Sequence, residues 1–377
     1  MQRHVTILAL SILVAAPPPL VAQNSVYGVR GIGFPERPIG IRARAMGGGF
    51  AMFDALSAVN PATAANFQVL TASVASGTTF RRYSAAGTEV SGLRETRFPG
   101  GIVGGGVGNG PVSFAVGFSG FAERSFDIQS SGIDTAAGVP VEVTDRLSAD
   151  GGIVDMRAAI GWRLHQRFQV GAAVHVLNGS SRVIAERDFT DSDLRPFNQV
   201  STFSFNGVGV SAGLNWQVAS ALQLGVSGRW NGGLESTVGA SSTTIDMPLS
   251  VQGGLLVAPS RQLLWTATVE WSSWSRAAGE LDAQTAGVFD TWSIGSGVEL
   301  GVPSTRLPIR LGAYYGKLPF SPSADAQPYE WSLSAGTGYA LSGGRFRLDA
   351  AVERLIRDGG GAAERGWHLS FGISVRP

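Results

Sequence analysis

Residues 367–376 read WHLSFGISVR. On an extended chain Trp367, Leu369, Phe371, Ile373 and Val375 share one face, and His368, Ser370, Gly372, Ser374 and Arg376 share the other, because successive side chains of a strand point to opposite sides. The pattern recurs upstream. Phe346, Leu348, Ala350 and Val352 alternate with Arg347, Asp349 and Glu353. Leu263, Trp265, Ala267, Val269 and Trp271 alternate with Thr266, Thr268 and Glu270, and Val208, Val210, Ala212, Leu214 and Trp216 with Gly209, Ser211, Gly213 and Asn215. Every run has one greasy face and one small or polar face. A soluble β-sandwich alternates as well, so the connections have to decide the class.

About fourteen such segments fit between residue 67 and the C-terminus. Short connections, such as Asn109-Gly110-Pro111, His165-Gln166-Arg167, Ala219-Ser220 and Ser342-Gly343-Gly344, alternate with longer polar ones near 81–96, 129–147, 185–199 and 232–244. An even number of antiparallel strands with tight turns at one end and long loops at the other is the arrangement of an outer-membrane barrel. The aromatics fit two interfacial girdles: Trp162, Trp216 and Tyr339 sit near short turns, and Trp230, Trp271, Trp292, Trp331 and Trp367 toward long loops. The expected fold is all-β, a transmembrane antiparallel β-barrel.

Composition narrows the function. Of 377 residues only 15% are charged, the net charge is +1, and there are 52 glycines and no cysteine. A nucleic-acid partner and a disordered chain both disagree with that balance. Disulfides, thiolate chemistry, Cys-ligated metals and a lipoprotein anchor are excluded. The N-terminal run MQRHVTILALSILVAAPPPLVAQ has a basic start, an apolar stretch broken by Pro17, Pro18 and Pro19, and Ala22 placed for cleavage before Gln23. Residues 1–22 therefore read as a secretory signal peptide, with a membrane anchor disfavoured because the stretch is too short to span a bilayer. The expected destination after cleavage is the bacterial outer membrane, in contact with its lipid and lipopolysaccharide. Three histidines remain beyond the leader, His165, His175 and His368, and none stands in an evident Ser-His-acid arrangement along the sequence. No catalytic residue, metal site or cofactor is expected.

Residues 23–66 precede the first strand and 67–377 form the barrel. The run from Arg42 to Phe67, RARAMGGGFAMFDALSAVNPATAANF, holds one acid, Asp54, and two bases, Arg42 and Arg44. Its Ala51-Met52-Phe53 and Leu56 to Val59 would expose apolar surface to water at about 25 cal/mol per Å² if the segment hung free. A barrel of about fourteen strands leaves a lumen wide enough to take it, so the expectation is an N-terminal plug, or hatch, inside the barrel. Asn60 followed by Pro61 and Ala62 reads as a helix start, with Asn60 as N-cap. Gly47-Gly48-Gly49 lacks the strand-then-helix context of a phosphate loop.

That run resembles the N-terminal plug signature of FadL-type outer-membrane transporters of long-chain fatty acids and other hydrophobic compounds, with Asn60, Pro61 and Ala62 matching its Asn-Pro-Ala. MPLSVQGGLLVAPSRQLLWTATVEWSSWS (247–275) and LPIRLGAYYGKLPFSPSADAQPYEWSLSAGTGYAL (307–341) are similar to two further stretches of that family. The resemblance implies a fourteen-stranded barrel, a plug and a hydrophobic ligand that leaves sideways through the wall. Two features depart from the pattern: Phe53-Asp54-Ala55-Leu56 stands where relatives often carry two adjacent acids, and the chain ends Val375-Arg376-Pro377 rather than on an aromatic residue. Arg44-Ala45-Met46-Gly47-Gly48 also resembles PorV-like members, which implies a structural barrel serving a secretion or surface-assembly system with an exported protein as partner.

Passive uptake of a fatty-acid-like molecule is the first expectation, the PorV-like platform the second. An outer-membrane hydrolase and an open general porin are further alternatives, the last opposed by the apolar plug. Expected ligand contacts are Met46, Phe50, Met52 and Phe53 on the plug, and the lumen-phase cations Arg157, His175 and Arg310, which can meet a carboxylate. The competing reading of those cations is pairing with Glu270, Glu299 or Asp349 across the lumen. Gly104, Gly105, Gly106 and Gly117 are expected as weak points for a gate, since glycine in a strand often marks a bend.

Overall fold

The computed structural model describes residues 25–85, 88–136, 139–191, 193–281, 287–301, 307–322 and 326–376. The signal peptide expected at 1–22 lies outside them. Among the described residues fourteen strands follow one another: β1 (Thr71–Ala85), β2 (Thr88–Gly106), β3 (Val112–Glu123), β4 (Val139–His165), β5 (Phe168–Phe189), β6 (Phe197–Ala219) and β7 (Leu222–Val238). The second half comprises β8 (Leu249–Ser260), β9 (Leu263–Ser272), β10 (Thr291–Leu300), β11 (Ile309–Lys317), β12 (Tyr329–Leu341), β13 (Phe346–Gly359) and β14 (Ala362–Val375). Each pairs antiparallel with the next, and β14 pairs with β1 from Ala72↔Val375 to Ala85↔Ala362, so the sheet closes into a barrel.

The alternation is inverted relative to a soluble protein. On β4 Val154, Met156, Ile160 and Trp162 are exposed, with Ile160 at 54%, whereas Asp155, Arg157 and Ala159 between them are buried. Apolar side chains outside and charged ones inside are stable only where the surroundings are hydrocarbon and every backbone group is paired within the sheet. The chain is a transmembrane β-barrel of the bacterial outer membrane. Strands β9 and β10 have 10 residues each, close to a single tilted crossing.

Other strands run far past the membrane. β4, β5 and β6 have 27, 22 and 23 residues, and Phe126–Ala136, which continues β3 after Arg124 and Ser125, pairs with the first part of β4. Much of the stretches 129–147 and 185–199, expected as loops, is therefore paired strand. Part of that taller wall still alternates, with Val141 and Val143 buried among Pro140, Glu142 and Thr144, but the run is short and gives way to polar residues such as Asp145 and Arg146.

The wall has one interruption. Pairing between β2 and β3 runs from Gly106↔Ser113 to Gly100↔Ser119 and stops there. Beyond it β3 takes its partners from the N-terminal segment: Phe34 pairs with Glu123, Pro35 with Ala122, and the Glu36 N–H donates to the Phe121 carbonyl at 2.9 Å.

That segment enters at the long-loop end and leaves at the short-turn end. Ser25 Oγ donates to Glu364 at 2.6 Å, and the Tyr27 hydroxyl donates to the Ala362 carbonyl at 2.6 Å beside the β13–β14 turn. Residues 37–66 then descend along the inward faces, with a helical turn at Ile41–Ala45 and a 3₁₀ helix at Pro61–Asn66, where Asn60 Oδ1 accepts from the Ala62 N–H at 3.0 Å. Inward glycines receive it. A Cβ on Gly161 would stand 2.2 Å from Ala65 N, on Gly171 2.4 Å from the Pro61 carbonyl, on Gly213 2.0 Å from Asn60 Oδ1, and on Gly312 2.1 Å from Gly47 N. A Cβ on Gly254 would stand 2.7 Å from Met52 Cβ, and one on Gly336 2.6 Å from Ala45 Cβ. Gly47 itself has φ 62° and packs on the Ala313 backbone, so it needs both the left-handed conformation and the missing side chain.

Gly312→Val should force the segment off the wall at an overpacking cost of about 1–3 kcal/mol. The expected outcome is faster proteolysis within residues 41–66 while the barrel keeps its heat-dependent shift on gels; unchanged protection would mean the contact is not tight.

Candidate functional site

The N-terminal segment is held by an apolar cluster and by ion pairs. Met46, Phe50, Met52 and Phe53 pack on one another with Ala43 and Ala51 and reach Leu256 and Leu264 of the wall. They are buried, Met46 and Met52 completely, and border neither of the two cavities found in the lumen. Asn60 Nδ2 donates to the Met52 carbonyl and to Asn215 Oδ1 on β6, and Pro61 and Ala62 lie against Gly171.

Arginines make the electrostatic ties. Arg42 grips Glu299 on β10 through Nε at 2.7 Å and Nη2 at 2.6 Å. Glu353 on β13, itself almost fully buried, accepts from Arg37, from Arg44 at 3.0 Å and from Ser332 at 2.6 Å. Arg357 joins Glu330 and Glu364 nearby. Planar guanidinium forks suit such shared, desolvated carboxylates better than an ammonium would.

The expected lumen cations divide. Arg310, with no exposed surface, donates to Glu299 at 2.6 Å and Asp349 at 2.7 Å, so it is paired as the competing reading held. His175 Nδ1 lies 3.0 Å from both oxygens of Asp155, and its Nε2 lies 2.9 Å from Ser211 Oγ. That is the contact pattern of a nucleophile, base and acid, assembled from three strands and therefore invisible in linear sequence. Of the trio Asp155 borders both cavities, and it is also held by Arg229 at 2.6 Å. Arg157, 5% exposed, has no hydrogen bond or ion pair among the described residues.

The larger cavity, about 290 Å³, lies above the segment. Gly47, Gly48 and Ala51 bound it toward the short turns, and Phe121, Trp274 and Leu318 toward the long loops. Its flanks are ionic, with Arg37, Arg44, Arg229, Glu330, Glu353 and Arg357. An apolar cluster including Ile32, Leu177, Phe205, Met247 and Phe320 closes the outer end, where Trp274 meets Phe320 edge-on at 5.3 Å. A smaller cavity, about 60 Å³, shares Pro38, Ile39, Ala58 and Asp155 with the larger one. It reaches Gly100, Ser119 and the lipid-facing Phe118, at the interruption between β2 and β3. Gly117 borders it; Gly104, Gly105 and Gly106 lie on the regularly paired part of β2, with Gly104 against Phe67.

Asp54 sits in the segment, accepting from Ser57 Oγ at 2.8 Å and the Leu56 N–H at 3.2 Å. Burial raises its carboxyl above the ordinary range, against the pull of those two hydrogen bonds and of Arg42. A raised folded-state value means the folded chain holds the proton more tightly, so this group's contribution to stability weakens as pH climbs from about 4 through the raised value. Asp54→Asn should therefore melt progressively higher relative to wild type as pH rises toward 8; a constant difference would refute the linkage. Glu353→Leu leaves Arg37 and Arg44 facing an apolar group, and breaking such a buried pair costs about 3–5 kcal/mol. Hydrogen-exchange mass spectrometry should show residues 37–46 losing protection while β9 and β10 keep theirs.

Residues 1–256 match the family model described as BamG. Among solved structures the chain is similar to the Ralstonia pickettii toluene transporter TbuX, with 16% identity, TM-score 0.61, and 90% of this chain and 98% of that one covered. It is similar also to a Pseudomonas aeruginosa FadL homologue, at 14% identity, TM-score 0.63, and coverage of 91% and 99%. The CymD monoaromatic hydrocarbon channel gives 14%, 0.59, 90% and 97%. At such identities the likeness is one of fold, and it meets the FadL-type resemblance read in the sequence at that level. No curated protein matches. With residues 1–256 of 377 covered by its model, the chain belongs to the BamG family.

Proposed function

We propose that this protein is an outer-membrane channel for passive uptake of hydrophobic, fatty-acid-like molecules, that residues 23–66 plug its barrel, and that the ligand leaves sideways into the bilayer. The observation that carries this reading is the pair of adjoining cavities, the second of which ends on lipid-facing Phe118 where β2 and β3 part. The inward glycines leave the segment no clearance at the short-turn end, so a side exit needs less movement than a through-path. An apolar outer cluster meets an incoming aliphatic chain, and ionic flanks below it suit a polar head. The similar toluene transporter and monoaromatic hydrocarbon channel agree with a hydrophobic ligand. Met46, Phe50, Met52 and Phe53 act in this reading as the anchor of the plug, and Gly117 rather than Gly104, Gly105 or Gly106 lies beside the exit.

The expectation is that Ser119→Phe, which fills the smaller cavity, cuts uptake of radiolabelled oleate by cells at least tenfold, whereas Gly105→Ala leaves it unchanged. Equal uptake by Ser119→Phe would remove the side exit.

The tall extramembrane sheet built from β4, β5 and β6 favours a second reading, a PorV-like interaction barrel with an exported protein as partner. Stoichiometric copurification of such a partner with a barrel that yields no extractable lipid would support it over uptake.

A further inference from the structure

We infer that Arg82 and Arg365, on the outward face of the barrel just above its outer aromatic girdle, form a binding site for a phosphate of outer-leaflet lipopolysaccharide. The site follows from the barrel and its membrane and is independent of the uptake reading. Arg81 on β1 and Glu364 on β14 point into the lumen, where Arg81 Nε lies 3.5 Å from the Glu364 carboxylate. Their chain neighbours Arg82 and Arg365 therefore point outward, and both are exposed. The register sets the two directly opposite each other, Arg82↔Arg365. Side chains so placed have Cβ atoms about 4.5–5.5 Å apart, and two like charges there repel.

The chain supplies no counter-charge. Among the described residues neither guanidinium has a hydrogen bond or an ion pair. Asp358 on β13, exposed at the same face, accepts from the Gly359 N–H at 2.8 Å and pairs with no cation. A third guanidinium adds to the excess. Arg354 on β13 stands opposite Trp367, donates from Nη1 to the Gly366 carbonyl at 3.2 Å and lies 5.2 Å over the Trp367 ring, so it is fixed beside the pair without being neutralised. The partner that relieves the repulsion is an anion both forks can share, and a phosphate accepts two parallel hydrogen bonds from a guanidinium.

Depth selects the source of that phosphate. One rung below the arginines Phe80 opposes Trp367, with the rings 42% and 49% exposed, and Leu369, Phe371 and Ile373 continue the outward apolar face. Aromatic girdles mark the edge of the hydrocarbon, and two residues of strand beyond Trp367 rise about 7 Å toward the long-loop end. Long loops are extracellular, so the arginines stand at the headgroup level of the leaflet that carries lipopolysaccharide. Its acyl chains can lie on Phe80, Trp367 and Leu369 while its phosphate enters the two forks; a dissolved phosphate gains only the second of these contacts.

The test is native mass spectrometry of the purified, detergent-solubilised barrel titrated with diphosphoryl lipid A and with the same lipid A stripped of its phosphates. Wild type should bind the diphosphoryl form at least tenfold more tightly. The double variant Arg82→Gln, Arg365→Gln should lose that advantage and keep its affinity for the stripped form, with the double lysine variant in between because an ammonium keeps the charge and loses the fork. Both variants should retain the heat-dependent gel shift, since removing one of two opposed like charges costs the fold nothing. Trp367→Ala should weaken both lipids alike. An equal loss for both lipids in the glutamine variant, or no loss for the diphosphoryl form, overturns the phosphate site. Complete displacement of diphosphoryl lipid A by millimolar inorganic phosphate overturns the lipid source in favour of a free anion, and equally tight, arginine-dependent binding of dioleoyl phosphatidylglycerol overturns lipopolysaccharide in favour of any anionic lipid.

Discussion

The close approach of the N-terminal segment to the barrel wall is the constraint on which the rest of the structure depends. Backbone atoms of residues 46–65 stand where a Cβ would otherwise be on Gly161, Gly171, Gly297 and Gly312. Contacts of that kind are won only when one partner has no side chain, and they fix the segment's height and rotation together. Once residues 41–66 are seated at the short-turn end, the chain before them has to climb toward the long loops. There residues 34–36 complete the hydrogen-bond ladder that β2 abandons at Gly100. The segment's contacts with the inward glycines and its pairing with β3 are therefore parts of one packing arrangement.

A lumen so filled is a low-dielectric space lined by the polar face of every strand, and the protein answers with shared ion pairs. Glu353 collects Arg37 and Arg44, and Glu299 collects Arg42 and Arg310, so that segment and wall are joined by charges neither could bury alone. Such networks add specificity of register more reliably than net stability, because desolvation consumes much of the Coulombic gain. Among the described residues Arg157, buried on β4, stands outside these networks.

The same arrangement divides the molecule by height. Near the short turns it is packed shut; at mid-membrane it holds cavities and ionic flanks; at the outer end an apolar cluster covers the mouth, and β4, β5 and β6 rise beyond it.

Much of the fold was legible in the sequence. Strict alternation in runs such as 367–376 specified strands, and tight turns alternating with long connections specified an antiparallel barrel of the membrane. An apolar stretch with few charges ahead of the first strand implied a segment that needs cover. These are local properties, fixed by the two-residue period of a strand and by the cost of exposing apolar surface. Only tertiary structure decided the rest. In the tall wall alternation is short, as at Val139, Val141 and Val143, and soon gives way to polar residues, so its height was not read. Whether a lumen cation is paired depends on neighbours from strands far apart in the chain: Arg310 and His175 found carboxylates, and Arg157 did not. The β2–β3 ladder ends next to Pro99, which has no N–H to offer it, but that residues 34–36 would pair with β3 beyond that point follows from no local signal. What the sequence by itself determined was the inside and outside of every strand within the membrane; which inward residues meet was decided by closure of the barrel, which brings distant strands round to face one another.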